Sequence, residues 1–321
     1  MEVGSWRMGN GEGPAVAIVI PNWNGEADTI ECLESLRQLD YPNYKVIVVD
    51  NASTDGSPQR IKSIYPQVTL IENEENLGFV RGSNIGIVYA LAQDAAYILL
   101  LNNDTTVHRD LLKELVSAAE KDHKTGIVGP KIYFYHKPET LWFAGSVFKA
   151  YFGKTRQVGF GERDEGQYDE AREVPFITGC ALMFKAEVAR QIGLLDPDYY
   201  HSNEDVDFCL RARKAGFRVL FVPQAKVWHK VASASGGTSS PLYLYYPYRN
   251  RFLLMKKHGC WYHWPSFMLH YLLSALKNLA SLLARGNCSG GRAVLLGVWD
   301  SLRGRYGKKD LADPPTGYGI R

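Results

Sequence analysis

Apolar residues in the first third of the chain fall in short unbroken runs, each ended by polar side chains and followed by a stretch of helical spacing. Ala15 to Ile20, Lys45 to Val49, Val68 to Ile71 and Tyr97 to Leu101 are β-prone runs of the kind buried on both faces of a sheet. Between them Ile30, Leu33, Leu36 and Leu39 recur at helical intervals, Ile61 to Tyr65 belongs to a second helix, and a third runs from about Val80 to Leu91. Strands alternating with helices predict an α/β fold with a mostly parallel, Rossmann-like sheet flanked by helices and right-handed crossovers. Ligands of such sheets bind beyond the carboxyl ends of the strands. Here those ends carry Pro21, Asn22 and Asn24, then Asp50, Asn73, and Asn102, Asn103 and Asp104. Asp28 is placed to cap the first helix.

After a helix from Leu111 to Glu120 the pattern loosens. Ile127 to Tyr133, Leu141 to Phe143, Val174 to Ile177 and Cys180 to Phe184 read as strands, interrupted by a Gly- and charge-rich excursion from Gly153 to Arg172 that reads as a mobile loop or as surface slack. A turn-rich approach, Asp196 to Ser202, leads into a helix from Asn203 to Arg213 with Glu204, Asp205 and Asp207 in its first turns. A strand from Arg218 to Val222 then runs on to Val227-Trp228-His229. The expected organisation is a tail over 1–14, halves of one domain over 15–125 and 126–235, and a helical, basic extension over 236–321.

Composition narrows the class without changing that picture. At 321 residues, 45% hydrophobic and 22% charged, the chain is ordinary globular material. A net charge of +3 is too small to argue for nucleic acid. The five cysteines are widely spaced, without a CxxC pair, and suggest neither a disulfide framework nor a zinc site, which points to a reducing cytosol. Met1 to Pro14 has glycine and charge where a signal peptide needs an apolar stretch.

Asp104, at the end of the most apolar strand, sits where a hard cation bridging phosphate oxygens would be useful, although Asn and Asp also favour turns and N-caps. A dinucleotide site is disfavoured, because Pro21-Asn22-Trp23-Asn24 stands where G-x-G-x-x-G would be, and no Walker A sequence occurs. Arg81 and Asn84 lie in the first turns of a helix, where an anion is favoured. Glu204 and Asp205 point carboxylates from a helix start into a cleft, or simply suit the helix dipole.

Val48 to Ser57, Asn76-Leu77-Gly78-Phe79, Leu101 to Asp104, Thr178-Gly179-Cys180, Asn203 to Asp207 and Trp228-His229 together resemble the GT-A-fold, family 2 inverting glycosyltransferases, in the rhamnosyltransferase-like branch. The resemblance covers about Val16 to Lys230, with the motifs in the family's order. It implies that Asn22 and Asn24 border the donor nucleotide and that Asp50 accepts from the base's imide N–H; Pro21, Asn102 and Asn103 at the strand ends and Arg81 and Asn84 at the helix start complete the expected donor-binding set. It implies that Asp104 and His229 ligate Mg²⁺ or Mn²⁺ at the diphosphate, and that Glu204-Asp205 is the acceptor-side pair with Asp205 as general base. Trp142, Gly179, Cys180 and Arg211 fall on the acceptor side, although Trp142, Cys180 and Arg211 also fit plain packing or ion pairing. One departure is Asn102, where the family's metal motif often begins with Asp.

The expected reaction moves a sugar, by resemblance rhamnose, from a nucleotide diphosphate donor to a glycan or lipid-linked acceptor. Two other readings stay open: a non-catalytic nucleotide-sugar-binding protein, which intact Asp104, Asp205 and His229 oppose, and a nucleotidyltransferase, which would release pyrophosphate.

From Pro265 to Arg285 polar residues recur in steps of three and four beside a wide apolar face, and His270 and Lys277 argue against a transmembrane span. Six Lys/Arg stand between Arg285 and Lys309 against Asp300 alone. With Trp261, Trp264 and Trp299, they fit peripheral attachment through 261–309 to the cytosolic face of a membrane as well as packing on the domain.

Overall fold

A computed structural model describes residues 13–231 and 240–309. The tail expected over 1–14 therefore lies mostly outside the described residues. The chain divides into two units: the first holds 13–148, 155–197 and 204–231, the second 149–154, 198–203 and 240–309.

The first unit is built on one ten-stranded sheet. Its opening half runs β1 (Val16–Asn22), α1 (Glu26–Leu36), β2 (Tyr44–Asp50), α2 (Ser57–Ile64), β3 (Thr69–Glu72), α3 (Gly78–Ala92) and β4 (Tyr97–Leu101), with the four strands parallel in the order β4-β1-β2-β3. Every residue of β4 is buried, which is why it reads as an uninterrupted apolar run. Helix α3 lies close on the sheet at Gly86, where an added Cβ would come within 2.3 Å of Val19 Cγ1 and 3.1 Å of Val49 Cγ2. Gly86→Ala is expected to cost about 1–3 kcal/mol through overpacking. Urea unfolding should show this as a lower midpoint with an unchanged slope.

The closing half comprises β5 (Thr105–Val107), α4 (Leu111–Glu120), β6 (Thr125–Phe134), β7 (Lys137–Phe143), β8 (Ser146–Lys149), β9 (Lys154–Gln157), β10 (Arg172–Glu173), β11 (Ala181–Lys185), α5 (Ala186–Ile192), α6 (Glu204–Lys214) and β12 (Arg218–His229). Strand β11 joins β4 to β6, antiparallel to both, and β12 then pairs parallel with β6. The sheet is thus parallel through its first half and mixed as a whole. Strands β8 and β9 pair as a separate ribbon.

Three expectations are corrected here. Val174 to Ile177 is not a strand, since Pro175 has no N–H to give a ladder and the amides after it go elsewhere: Phe176 N donates to Ser146 Oγ and Ile177 N to Cys209 Sγ. The excursion over 153–172 is fastened rather than slack, because buried Lys131 reaches Asp164 at 2.9 Å and Asp169 at 2.5 Å. Asp28 does not cap α1, whose N-cap is Gly25; it pairs with Lys230 at 2.6 Å.

The second unit contains α7 (Pro241–His258), α8 (Trp264–Ala284) and α9 (Cys288–Leu302). Tyr248, Met255, Phe267, Tyr271 and Val294 form its apolar centre. Helices α7 and α9 approach closely at Gly297, where a Cβ would stand 2.6 Å from the Tyr245 carbonyl oxygen.

Candidate active site

The carboxyl ends of β1 and β2 are in register, Asn22 opposite Asp50, and this brings together a buried amide–carboxylate network. Asn22 Nδ2 donates to Asp50 Oδ1 at 2.7 Å, while Asn22 Oδ1 accepts from Thr29 Oγ1 at 2.8 Å and from Asn103 Nδ2 at 3.1 Å. The second Asp50 oxygen accepts from Ser53 N at 2.8 Å. Asn24, in the left-handed region at φ 48°, accepts from Thr54 N at 2.8 Å and orients the loop after β2. Asn22 therefore holds the shape of this edge from within, and Thr29, absent from the sequence reading, is a full member of it. Its only sequence signal is a β-branched polar residue in the first turns of α1.

Strand β5 pairs antiparallel with the end of β12, His229 opposite Thr105, so Asp104 arrives beside the imidazole. His229 Nε2 lies 3.1 Å from Asp104 Oδ1, both side chains are buried, and His229 Nδ1 has no hydrogen-bond partner. Burial disfavours the imidazolium, but the Cys180 sulfur and the Asp104 carboxylate more than offset this and push the His229 pKa up to about 10. Trp142 meets the His229 ring edge-on at 4.7 Å. The end of β12 is tied down by Lys230, another residue the sequence reading passed over, which bonds Asp28 at 2.6 Å and Glu31 at 2.5 Å.

The acid pair opens α6. Glu204 is buried with Oε2 unpartnered, and burial, then the charge of Asp205, raises its pKa. Asp205 is only half-buried, and its two oxygens accept from Gly179 N at 2.8 Å and Val206 N at 2.7 Å. Burial raises its pKa too, against those two N–H groups. The residue after Gly179 is Cys180, which touches His229 and whose carbonyl accepts from Asn102 N at 2.9 Å. Residues 179–180 thus stand between the Asp205 carboxylate on one side and the Asp104–His229 pair on the other. Gly179 positions Asp205 with its amide, and Cys180 fills the space under His229.

Two expected site residues are engaged otherwise. Both ends of the Asn84 amide are taken by the Leu195 backbone, at 2.8 and 3.1 Å. Arg211 bonds Asp207 and the carbonyls of Ile192 and Leu194, each at 2.7 Å, and so clamps α6 to the preceding loop. Arg81 and Pro21 lie at the same sheet edge as Asn22, exposed and half-buried respectively.

Among the described residues no group of three or more His, Cys, Asp or Glu side chains could by itself hold a metal. A carboxylate and an imidazole converging at 3.1 Å, one ring nitrogen unpartnered, nonetheless fit a divalent cation whose remaining ligands are phosphate oxygens and water.

The sequence profile described as glycosyl transferase family 2 matches residues 17–193. Among curated proteins the chain is 26% identical over 249 residues to the dTDP-rhamnosyl transferase RfbF of Shigella flexneri, covering 74% of this chain and 79% of that one. It is also 26% identical over 237 residues to an N-acetylglucosaminyl-diphospho-decaprenol L-rhamnosyltransferase of Mycobacterium tuberculosis, covering 68% and 77%. Among solved structures it resembles the mannosyltransferase PcManGT of Pyrobaculum calidifontis in complex with GDP-Man and Mn²⁺ (TM-score 0.57, 18% identity, 90% of this chain and 87% of that one). It also resembles GalNAc-T7 with UDP, GalNAc and Mn²⁺ (TM-score 0.60, 18% identity), covering 76% of this chain but only 48% of the other. These structures share the GT-A fold.

Proposed function

Because the chain belongs to glycosyl transferase family 2 and is a glycosyltransferase, we propose that it moves rhamnose from a nucleotide diphosphate donor to a hydroxyl of a glycan or lipid-linked acceptor, with inversion and with Asp205 as the base. The observation that carries this reading is the contrast within the acid pair. A base must touch the hydroxyl it deprotonates. Asp205 is accessible and held by Gly179, whereas Glu204 is sealed.

Asp205 takes the proton of the acceptor hydroxyl as that oxygen attacks the anomeric carbon from the face opposite the diphosphate. One displacement of this kind needs no covalent nucleophile. Glu204, beside Asp205, holds its carboxyl proton to higher pH and so spares the pair two adjacent negative charges. Asn22, Asn103 and Asp50 shape the nucleotide edge, with Asn24, Asn102 and Arg81 at its rim. When bound, Mg²⁺ or Mn²⁺ on Asp104 and His229 would neutralise the departing diphosphate. The rhamnosyl relatives support the choice of sugar.

Since burial raises the pKa of Asp205, its base form is populated only above the usual carboxylate range, so kcat/KM should climb with pH along an acid limb set higher than for an ordinary Asp. Glu204→Gln imitates the protonated carboxyl that Glu204 keeps while Asp205 ionises, so its limb should stay where it is in the unaltered enzyme. A pH–rate profile of both proteins checks this.

The proposal as a whole is tested by presenting the purified protein with a panel of nucleotide sugars, deoxythymidine diphosphate rhamnose first and uridine diphosphate sugars next. Release of nucleoside diphosphate is expected. Turnover of nucleoside triphosphates with pyrophosphate release would overturn it. A cytosolic site at the membrane, contacted through 261–309, goes with this reading: Trp261–Ala284 is apolar and long enough to cross a membrane by length and composition, and little of its most apolar stretch is buried.

A further inference from the structure

The charge that looks modest over the whole chain is concentrated in one place. The described residues of the second unit carry thirteen Lys/Arg side chains against two carboxylates, Asp198 and Asp300. Part of that excess is compensated, since Asp300 pairs with Lys309 at 3.0 Å and lies 3.9 Å from Arg305, which takes two cations of the basic tail away from any partner surface. Arg303 lies over the Trp299 ring at 4.1 Å.

Another group has no such relief. Arg251 of α7 donates to the Phe152 carbonyl at 2.5 and 3.2 Å and to Ser274 Oγ at 3.2 Å. Phe152 lies between Lys149 and Lys154 in the chain, and its ring meets His270 at 5.1 Å. His270, Ser274 and Lys277 occupy one stripe of α8 by their spacing of four and three. Lys149, Lys154, Arg251, His270 and Lys277 therefore face one patch, and among the described residues no carboxylate pairs with any of them. Two members feel the mutual repulsion in addition to burial. Burial, then Arg251, Lys149 and Lys277, lowers the Lys154 pKa, and burial, then Lys154 and Arg251, lowers that of His270. Lys149, Lys154, Arg251 and Lys277, like charges gathered without counter-charge, mark a place where an anion is bound, and His270, neutral near pH 7, stands among them as an N–H donor.

The adjoining stripe of the same helix says what carries the anion. Leu269, Leu273 and Leu276, spaced four and three, are 65%, 55% and 62% exposed, and Trp261 at the helix entry is 83% exposed. A cationic stripe beside an exposed leucine stripe matches an amphiphile, with phosphate on one side and acyl chain on the other. We propose that Lys149, Lys154, Arg251, His270 and Lys277 form a binding site for the phosphate head groups of anionic phospholipids, while Leu269, Leu273 and Leu276 enter the acyl region. The proposal rests on the membrane-facing reading of 261–309 but assigns the contact to the ribbon and the middle of α8, not to the basic tail after Arg285.

The test is flotation of the full chain with phosphatidylcholine vesicles, with and without phosphatidylglycerol. The unaltered protein should float with the anionic vesicles and be released by salt. Lys149→Gln, Lys154→Gln and Lys277→Gln combined change only exposed side chains and leave Arg251 with its structural bonds; they should weaken partitioning about 100-fold, at roughly one charge-lipid contact per lysine. Arg285→Gln, Arg292→Gln and Arg303→Gln remove the same charge elsewhere and should weaken it far less. If both triple variants lose binding equally, the site is overturned in favour of diffuse charge. If the unaltered protein ignores anionic vesicles, the membrane reading falls, and the site with it. Neither outcome touches glycosyl transfer, which is read separately as nucleoside diphosphate release.

Discussion

Asp205→Asn is expected to bind donor as the unaltered enzyme does while turning over about 10²- to 10⁴-fold more slowly, the usual contribution of a positioned general base. The substitution keeps the size and shape of the side chain and removes its affinity for a proton. It also has a structural consequence that can be measured apart from rate. Both Asp205 oxygens accept backbone N–H groups, from Gly179 and Val206, and an amide offers only one oxygen, so one of these bonds is lost. That costs about 1 kcal/mol and should appear in thermal unfolding as a modest drop. A fall in kcat far beyond this small loss of stability, at unchanged donor affinity, separates the base from a merely structural acid. Unchanged turnover would move the role to Glu204.

The second large effect concerns Asp104. Asp104→Ala should weaken binding of Mn²⁺ and of nucleoside diphosphate by more than about 100-fold, since even outer partners of metal ligands are worth 10- to 100-fold, and EDTA should abolish transfer by the unaltered enzyme. The pH dependence has a definite sign. His229, held protonated up to about pH 10 by Cys180 and Asp104, must lose its proton to become a ligand. Metal uptake should release a proton, and apparent affinity should rise as pH rises toward that value. Calorimetric titration in buffers of different ionisation heat reads both quantities. Full activity in chelator, or an affinity that falls with rising pH, would contradict the assignment.

The opening half of the fold is legible in the sequence because each strand there is a buried run that stops at polar residues, and one face or the other of every helix must cover it. Asp50 and Asp104 stand out for the same reason. Past residue 120 the signal weakens for identifiable causes. Val174 to Ile177 has the apolar content of a strand but hands its amides to Ser146 and Cys209, and β12 passes through a register shift between Val222 and Lys226 that breaks its alternation. Helix α7 carries Pro247 and a run of tyrosines, and α9 three glycines, so neither has helical propensity; packing such as the close approach at Gly297 decides them. Residue roles follow the same division. Asn84 and Arg211 have the chemistry of ligands, but beyond the Asp207 carboxylate four residues before Arg211 their partners are the backbone of residues 192–195, which no local pattern predicts. Gly179 works through its amide, and a glycine's amide leaves no mark in composition or spacing.

Inversion by a single displacement at the anomeric carbon, with Asp205 as the base, is tested most directly by the anomeric configuration of the first-formed product, followed by NMR as the enzyme consumes deoxythymidine diphosphate rhamnose. A product with the configuration opposite to the donor's is the predicted result, and it should slow in parallel with turnover in Asp205→Asn. A product that retains the donor's configuration would require a covalent or front-face route and would contradict the role given to Asp205.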